Sequence, residues 1–291
     1  MTVIDAHHHV WDLAVRHQPW LADPERAAIR RTFTIDELRP VAAAAGVTAT
    51  VLVQTVTDAG ETPEMLALAA GDPLIRAVVG WTDLTAPKAA DELARLAGGP
   101  GGDRLAGIRH VVQAEPDPDW LRRPAVLGGL RAVAGAGLAY DLIVQPHQLG
   151  AAAFAAQSVP ELTFVLDHCG NPPESGDLES WVHAVRALAR CPNTVCKLSG
   201  LATEPGAAAV TAAQVTAAQV TAAQRTVADV VLSAFGADRV MYGSDWPVCL
   251  LASDYPGVIG LARVLTAGLS AAEQAAVFAG TAARVYRITT S

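Results

Sequence analysis

Val3-Ile4-Asp5-Ala6-His7-His8-His9-Val10-Trp11 is a short apolar run that ends in three consecutive histidines. In an extended strand alternate side chains share a face, so His7 and His9 point one way and His8 the other. Two imidazoles on one face can grip one metal ion, and a catalytic metal site keeps a position open for water or substrate. A polar strand end would carry the same His-x-His pattern. An expression tag does not fit the flanking Ile4, Asp5 and Trp11, and a strand starting at Thr2 leaves no room for a signal peptide.

Seven more β-rich runs lie downstream, near 47–54, 75–83, 105–113, 138–145, 162–169, 194–200 and 239–247; with 2–9 they make eight. Between them stand alanine- and leucine-rich stretches with helical spacing, such as Thr34 to Gly46, Thr62 to Gly71, Arg122 to Gly137 and Trp181 to Arg190. Strands alternating with helices predict parallel βαβ units, and eight of them close into a (β/α)8 TIM barrel of the α/β class. An open doubly wound sheet is the alternative, but no Gly-x-Gly-x-x-Gly turn follows the first run. The expected organisation is one barrel over 1–291 with a low-complexity insertion at about 207–225.

That insertion contains Val-Thr-Ala-Ala-Gln three times over 210–224. A five-residue period turns a helix by about 500° per repeat, or roughly 140° net, so its valines form no single stripe. It reads as a lengthened connection after the seventh strand, near enough to the mouth to serve as a lid.

Half of the residues are hydrophobic and the net charge is −8, which offers no basic surface to nucleic acid or anionic lipid. No apolar run reaches the roughly 20 residues of a membrane helix. Cys169, Cys191, Cys196 and Cys249 are too irregularly spaced for a disulfide framework and read as reduced cytoplasmic thiols. The expected partner is a small molecule, and alanine-rich outer helices leave an oligomer open.

A barrel carries its chemistry where the strands end, and polar residues cluster there: His7 and His9, Gln54, Trp81 and Asp83, Arg109 with His110 and Gln113, Asp141 and Gln145, Asp167 and His168, Lys197 and Ser199, Ser244 and Asp245. Asp245 ends the last strand beside the first and should face His7 and His9, where it can bind a metal, accept a proton from water, or both. As a turn residue before Pro247 it would need neither role. His168 should meet substrate while Asp167 points to the opposite face. Of Arg109 and His110 only one can point inward, and an inward arginine would bind a carboxylate or polarise a carbonyl. Lys197 shares its face with Ser199 and is either substrate-facing or a wall lysine. Gln54, Trp81, Lys197 and Trp246 are the substrate-binding candidates, with Trp11 and Trp20 as further stacking surfaces. His147 reads as a loop residue, and His17 and His183 carry no signal.

Ile4-Asp5-Ala6-His7-His8-His9-Val10-Trp11-Asp12, Gly107-Ile108-Arg109-His110 with Gln113 and Glu115-Pro116-Asp117, Leu166-Asp167-His168 with Asn171-Pro172, Cys196-Lys197-Leu198-Ser199-Gly200, and Met241-Tyr242-Gly243-Ser244-Asp245-Trp246-Pro247 together resemble the amidohydrolase superfamily. More narrowly they resemble its sugar-lactonase branch, which includes L-fuconolactone and L-rhamnonolactone hydrolases and is related to the pyrone-dicarboxylate lactonases. The resemblance spans nearly the whole chain. It implies a barrel in which Asp245 is the general base for water attacking a lactone carbonyl. His7, His9, Arg109 and His168 are implied as metal-binding or carbonyl- and carboxylate-contacting groups, with His7, His9 and Asp245 as the ligand set.

Gln145 stands where many amidohydrolases place a fifth-strand histidine ligand, and Lys197 is not the usual bridging lysine, so a binuclear site is not expected. The resemblance implies one divalent ion, zinc first, or none. Rival readings are a metal-dependent decarboxylase of unsaturated or aromatic acids, a hydrolase of a dicarboxylate lactone, and a barrel that binds a sugar acid without turnover. The chemistry agrees with the lactonase reading on its own terms: a lactone needs a base and a carbonyl polariser but little help for its leaving group, and no Gly-x-Ser-x-Gly elbow supplies a serine nucleophile.

Overall fold

The structure is a computed structural model that describes residues 2–173, 178–201 and 220–289. Eight parallel strands, β1 Val3–His8, β2 Val47–Val53, β3 Ile75–Gly80, β4 Leu105–His110, β5 Ala139–Leu142, β6 Phe164–Leu166, β7 Thr194–Leu198 and β8 Val240–Tyr242, pair in sequence order. A parallel bridge from His8 to Trp246 and the bonds from His9 N to Trp246 O (2.7 Å) and from Asp245 N to His7 O (2.8 Å) join the last strand to the first. The sheet therefore closes into the expected (β/α)8 barrel.

Helices α1 Ile35–Ala44, α2 Glu61–Gly71, α3 Ala89–Ala97, α4 Pro124–Gly135, α5 Leu149–Ser158, α6 Leu178–Ala189, α7 Ala222–Phe235 and α8 Tyr255–Leu265 alternate with the strands, followed by α9 Ala271–Ala275 and α10 Thr281–Val285. None among the described residues is long and apolar enough to cross a membrane. Outward side chains such as Ile108, Tyr140, Leu142, Phe164 and Leu166 join the helices in one large cluster. The bore is filled separately by Ile4, Ala6, Val51, Val53, Ala77, Val79, Val165, Val195 and Met241, small or branched residues that suit a packed barrel interior. Tyr286 and Ile288, from the segment after α10, pack into this inner cluster.

Two details place the site. Between Asp5 and His8 the pairing of β1 with β2 shifts register, so Ala6 packs with the bore while His7 and His9 also face inward, and His8 is buried. Gly243 lies against His7, where an added Cβ would come within 2.8 Å of the His7 Cβ; the glycine lets the imidazole sit in the wall of the barrel.

Of the pentapeptide repeat, 210–219 lie outside the described residues, as does most of the expected insertion. Within the last copy, Thr221 and Gln224 bond reciprocally at the start of α7, and Gln224 Nε2 donates to Leu201 O at 2.7 Å. Here the repeat supplies a helix cap.

Candidate active site

A cavity of about 760 Å³ opens at the C-terminal mouth of the barrel. His9, Arg109, His168 and Asp245 line its inner wall, and Trp20, Arg26, Gln113, Gln145, His147 and Asn171 line the approach. His7, wholly buried, lies directly behind them.

Asp245 projects from the turn after β8 with φ +57°. Ser244 carries that turn: its N–H and hydroxyl donate to the two carboxylate oxygens of Asp5 at 2.8 and 2.6 Å, and Tyr255 OH donates to Asp5 at 2.9 Å. Asp5 also accepts from His7 N at 3.2 Å, which ties the histidine motif to the aspartate turn. The Asp245 carboxylate then stands 3.5 Å from His9 Nε2, 3.7 Å from His7 Nε2 and 3.9 Å from His168 Nε2.

His7 Nε2 and His9 Nε2 are 3.1 Å apart. With Asp245 they form a triangle of donor atoms with edges of 3.1, 3.5 and 3.7 Å. Tetrahedral zinc with bonds near 2.05 Å would separate its ligand atoms by about 3.3 Å, so the set fits one small divalent ion. His9 Nδ1 donates to Val53 O at 2.7 Å, which leaves the Nε2 lone pair facing the cluster. A second candidate set is His7, Asp167 and His168.

His168 occupies left-handed backbone, φ +51°, as do Cys169 and Asn171. Its Nδ1 is 2.9 Å from Ser199 Oγ. Gly200 (φ +72°) packs so closely on its ring that an added Cβ would lie 2.7 Å from the His168 Cβ. Burial lowers the affinity of His168 for a proton, and nearby Asp245 partly offsets this.

Beneath these groups lies a layer of buried charge. Lys197, wholly buried, contacts Asp141 Oδ2 directly and reaches Asp167 Oδ1 and His7 Nδ1, each at 3.0 Å. Arg109 Nη1 donates to Asp167 Oδ2 at 2.9 Å, and its Nη2 donates to the Gln54 carbonyl oxygen. Tyr286 OH donates to Asp141 Oδ2 at 2.8 Å. Two cations thus meet two carboxylates, the condition under which such burial is tolerated. Burial pushes Asp141 up to about 6, opposed by Lys197. Burial also acts to raise Asp167, but Lys197, His7 and Arg109 outweigh it and hold this carboxyl well below the usual range. Burial, reinforced by Lys197, keeps His7 neutral.

Gln54, Trp81, Lys197 and Trp246, the expected substrate-binding residues, are not among those lining the cavity. Lys197 is neutralised within the charged layer, and Gln54 is buried with its carbonyl on Arg109. The Trp81 indole donates to His110 Nδ1 at 3.0 Å, and Trp246 packs edge-on against Phe33. His110 faces away from the bore, stacked on Trp120, so Arg109 is the inward member of that pair. Asp167 also points inward, contrary to expectation: the left-handed turn beginning at His168 lets both neighbours face the bore. His147 stays on a loop but lines the cavity.

The family model for amidohydrolases matches residues 4–288. The chain belongs to the amidohydrolase family. It is similar to two proteins called L-fucono-1,5-lactonase: one from Burkholderia ambifaria, 37% identical over 98% of this chain and 95% of the relative, and one from Burkholderia multivorans, 36% identical over 98% and 96%. A crystal structure of an amidohydrolase from Burkholderia multivorans with bound zinc superposes with a TM-score of 0.89 at 35% identity, covering 99% of this chain and all of that one. This amidohydrolase has the donor set to hold such an ion at His7, His9 and Asp245.

Proposed function

We propose that this amidohydrolase opens a sugar-acid lactone, an aldonolactone such as L-fuconolactone or L-rhamnonolactone, by water attack on the ring carbonyl. The observation that carries the reading is the Asp245 carboxylate on the inner wall of a polar cavity, flanked by His9, His168 and Arg109. The 37% identity to an L-fucono-1,5-lactonase supports the choice of substrate class.

In this mechanism Asp245 accepts a proton from water as the water oxygen bonds to the carbonyl carbon. The developing oxyanion meets His168 Nε2–H, a tautomer kept by donation from Ser199 Oγ to Nδ1, and the positive charge of Arg109. Collapse breaks the bond to the ring oxygen, which takes the proton from Asp245 and leaves as an alcohol. The product is a hydroxy acid that ionises in solvent. When bound at His7, His9 and Asp245, a divalent ion supplies Lewis-acid polarisation. Trp20, Arg26, Gln145, His147 and Asn171, which line the approach, are the residues placed to read the sugar hydroxyls.

The test is acid release, followed with a pH indicator, from a panel of aldonolactones before and after chelation. Turnover that survives chelation assigns carbonyl polarisation to His168 and Arg109; loss reversed by zinc assigns it to the ion. No turnover on any lactone overturns the reading.

A further inference from the structure

A metal-binding histidine ordinarily donates its second ring N–H to a carbonyl or carboxylate, which orients the ring and makes the coordinating nitrogen more basic. His9 follows that rule through Val53 O. His7 does not. The group nearest its Nδ1 is the ammonium of Lys197, at 3.0 Å, which can only donate.

That ammonium donates to Asp141 Oδ2 and to His7 Nδ1, and it stands 3.0 Å from Asp167 Oδ1 as an ion pair. Asp167 Oδ1 lies farther from His7 Nδ1, at 3.4 Å, and neither that contact nor its ion pair with Lys197 has hydrogen-bond geometry. Arg109 Nη1 approaches His7 Nε2 only to 3.5 Å and donates to Asp167 Oδ2 at 2.9 Å. The shorter contacts therefore make a directional chain: Lys197 donates to His7 Nδ1, His7 Nε2–H donates to His9 Nε2 at 3.1 Å, and His9 Nδ1–H donates to Val53 O.

We infer that Lys197 fixes His7 in the tautomer with hydrogen on Nε2, the nitrogen a metal would need, and so sets a low zinc affinity at His7, His9 and Asp245. Coordination requires His7 to move its hydrogen to Nδ1, against a cation. Lys197 is thus a positioning residue whose effect reaches the metal through His7. The inference rests on reading these three residues as the metal site, and it is independent of which lactone is hydrolysed.

The experiment measures zinc binding rather than turnover, on protein stripped with a chelator and titrated with zinc against a chromogenic competitor. The comparison variant is K197M/D141N, which removes the cation together with its closest counter-charge and frees Asp167 to accept from His7 Nδ1–H. Changes in the outer partner of a ligand histidine shift metal affinity by about 10–100-fold, and the double variant is expected to bind zinc tighter by that factor. Unchanged or weaker binding overturns the inference. Zinc-free wild-type protein gives a readout that needs no variant: imidazole 15N shifts should show His7 Nε2 protonated and Nδ1 unprotonated, and the opposite pattern refutes the proposal. D245N separates the underlying reading, because a zinc affinity unaffected by that substitution means that the ion binds elsewhere, and the inference falls with the site.

Discussion

Replacing Lys197 with Met should be among the most destabilising single changes in the barrel. The ammonium is wholly buried and contacts Asp141, Asp167 and His7. Without it Asp141 keeps only the hydroxyl of Tyr286 among these partners, and Asp167 keeps Arg109. Breaking a buried ion pair from one side costs about 3–5 kcal/mol, because a charge is left in low dielectric. At roughly 2–4 °C per kcal/mol for a domain of this size, the melting temperature should fall by roughly 6–20 °C. Adding Asp141→Asn to Lys197→Met removes the orphaned carboxylate and should recover about half of the loss. Urea unfolding followed by circular dichroism on wild type, both single variants and the double variant closes the cycle, with an expected coupling above about 1.5 kcal/mol. A Lys197→Met cost below about 1 kcal/mol, or costs that simply add, would refute the buried-layer argument.

His8 is buried with its proton affinity pushed down to about 3 by burial, then by His9. A folded value below the unfolded 6.5 gives stability that is full above pH 6.5 and drains away as pH falls toward 3, amounting to about 2 kcal/mol by pH 5. His8→Leu should flatten the stability curve between pH 7 and 5 by that amount relative to wild type, and parallel curves would contradict the assignment. Gly200→Ala meets both a positive φ and the His168 ring, so it should cost about 1–3 kcal/mol in stability and lower kcat by up to about 100-fold through a displaced His168; unchanged steady-state kinetics would show that the ring position is not critical.

The eight strands were legible because a buried parallel strand is apolar on both faces, and every run contains its strand. The ends were not. The run 162–169 holds a strand of only Phe164–Leu166 and 239–247 one of Val240–Tyr242, since the chain leaves the ladder for turns at His168 and Asp245 while its composition hardly changes. Strand parity and the barrel's closure put His7, His9 and Asp245 together at the mouth, and the turn at Cys169-Gly170-Asn171-Pro172 put His168 there, whereas parity left Arg109 and His110 undecided and only the family resemblance favoured Arg109. The charged layer was not legible, because Lys197 and Asp141 lie 56 positions apart and nothing local distinguishes a paired interior lysine from one facing substrate. Asp5 gave no signal of its role in holding the Asp245 turn, which depends on Ser244 and Tyr255 at the far end of the chain. Trp81 and Trp246 read as sugar platforms because an aromatic at a mouth packs or stacks with the same sequence signature.

The most direct test of the central claim is the rate of lactone opening by wild type and by Asp245→Asn on the best substrate of the aldonolactone panel. Removing a general base costs about 10²–10⁴-fold, so kcat should fall by that factor while the variant still binds the hydroxy-acid product with wild-type affinity. A variant that opens the lactone at the wild-type rate would contradict the assignment of Asp245 as the base and, with it, the mechanism proposed for this site.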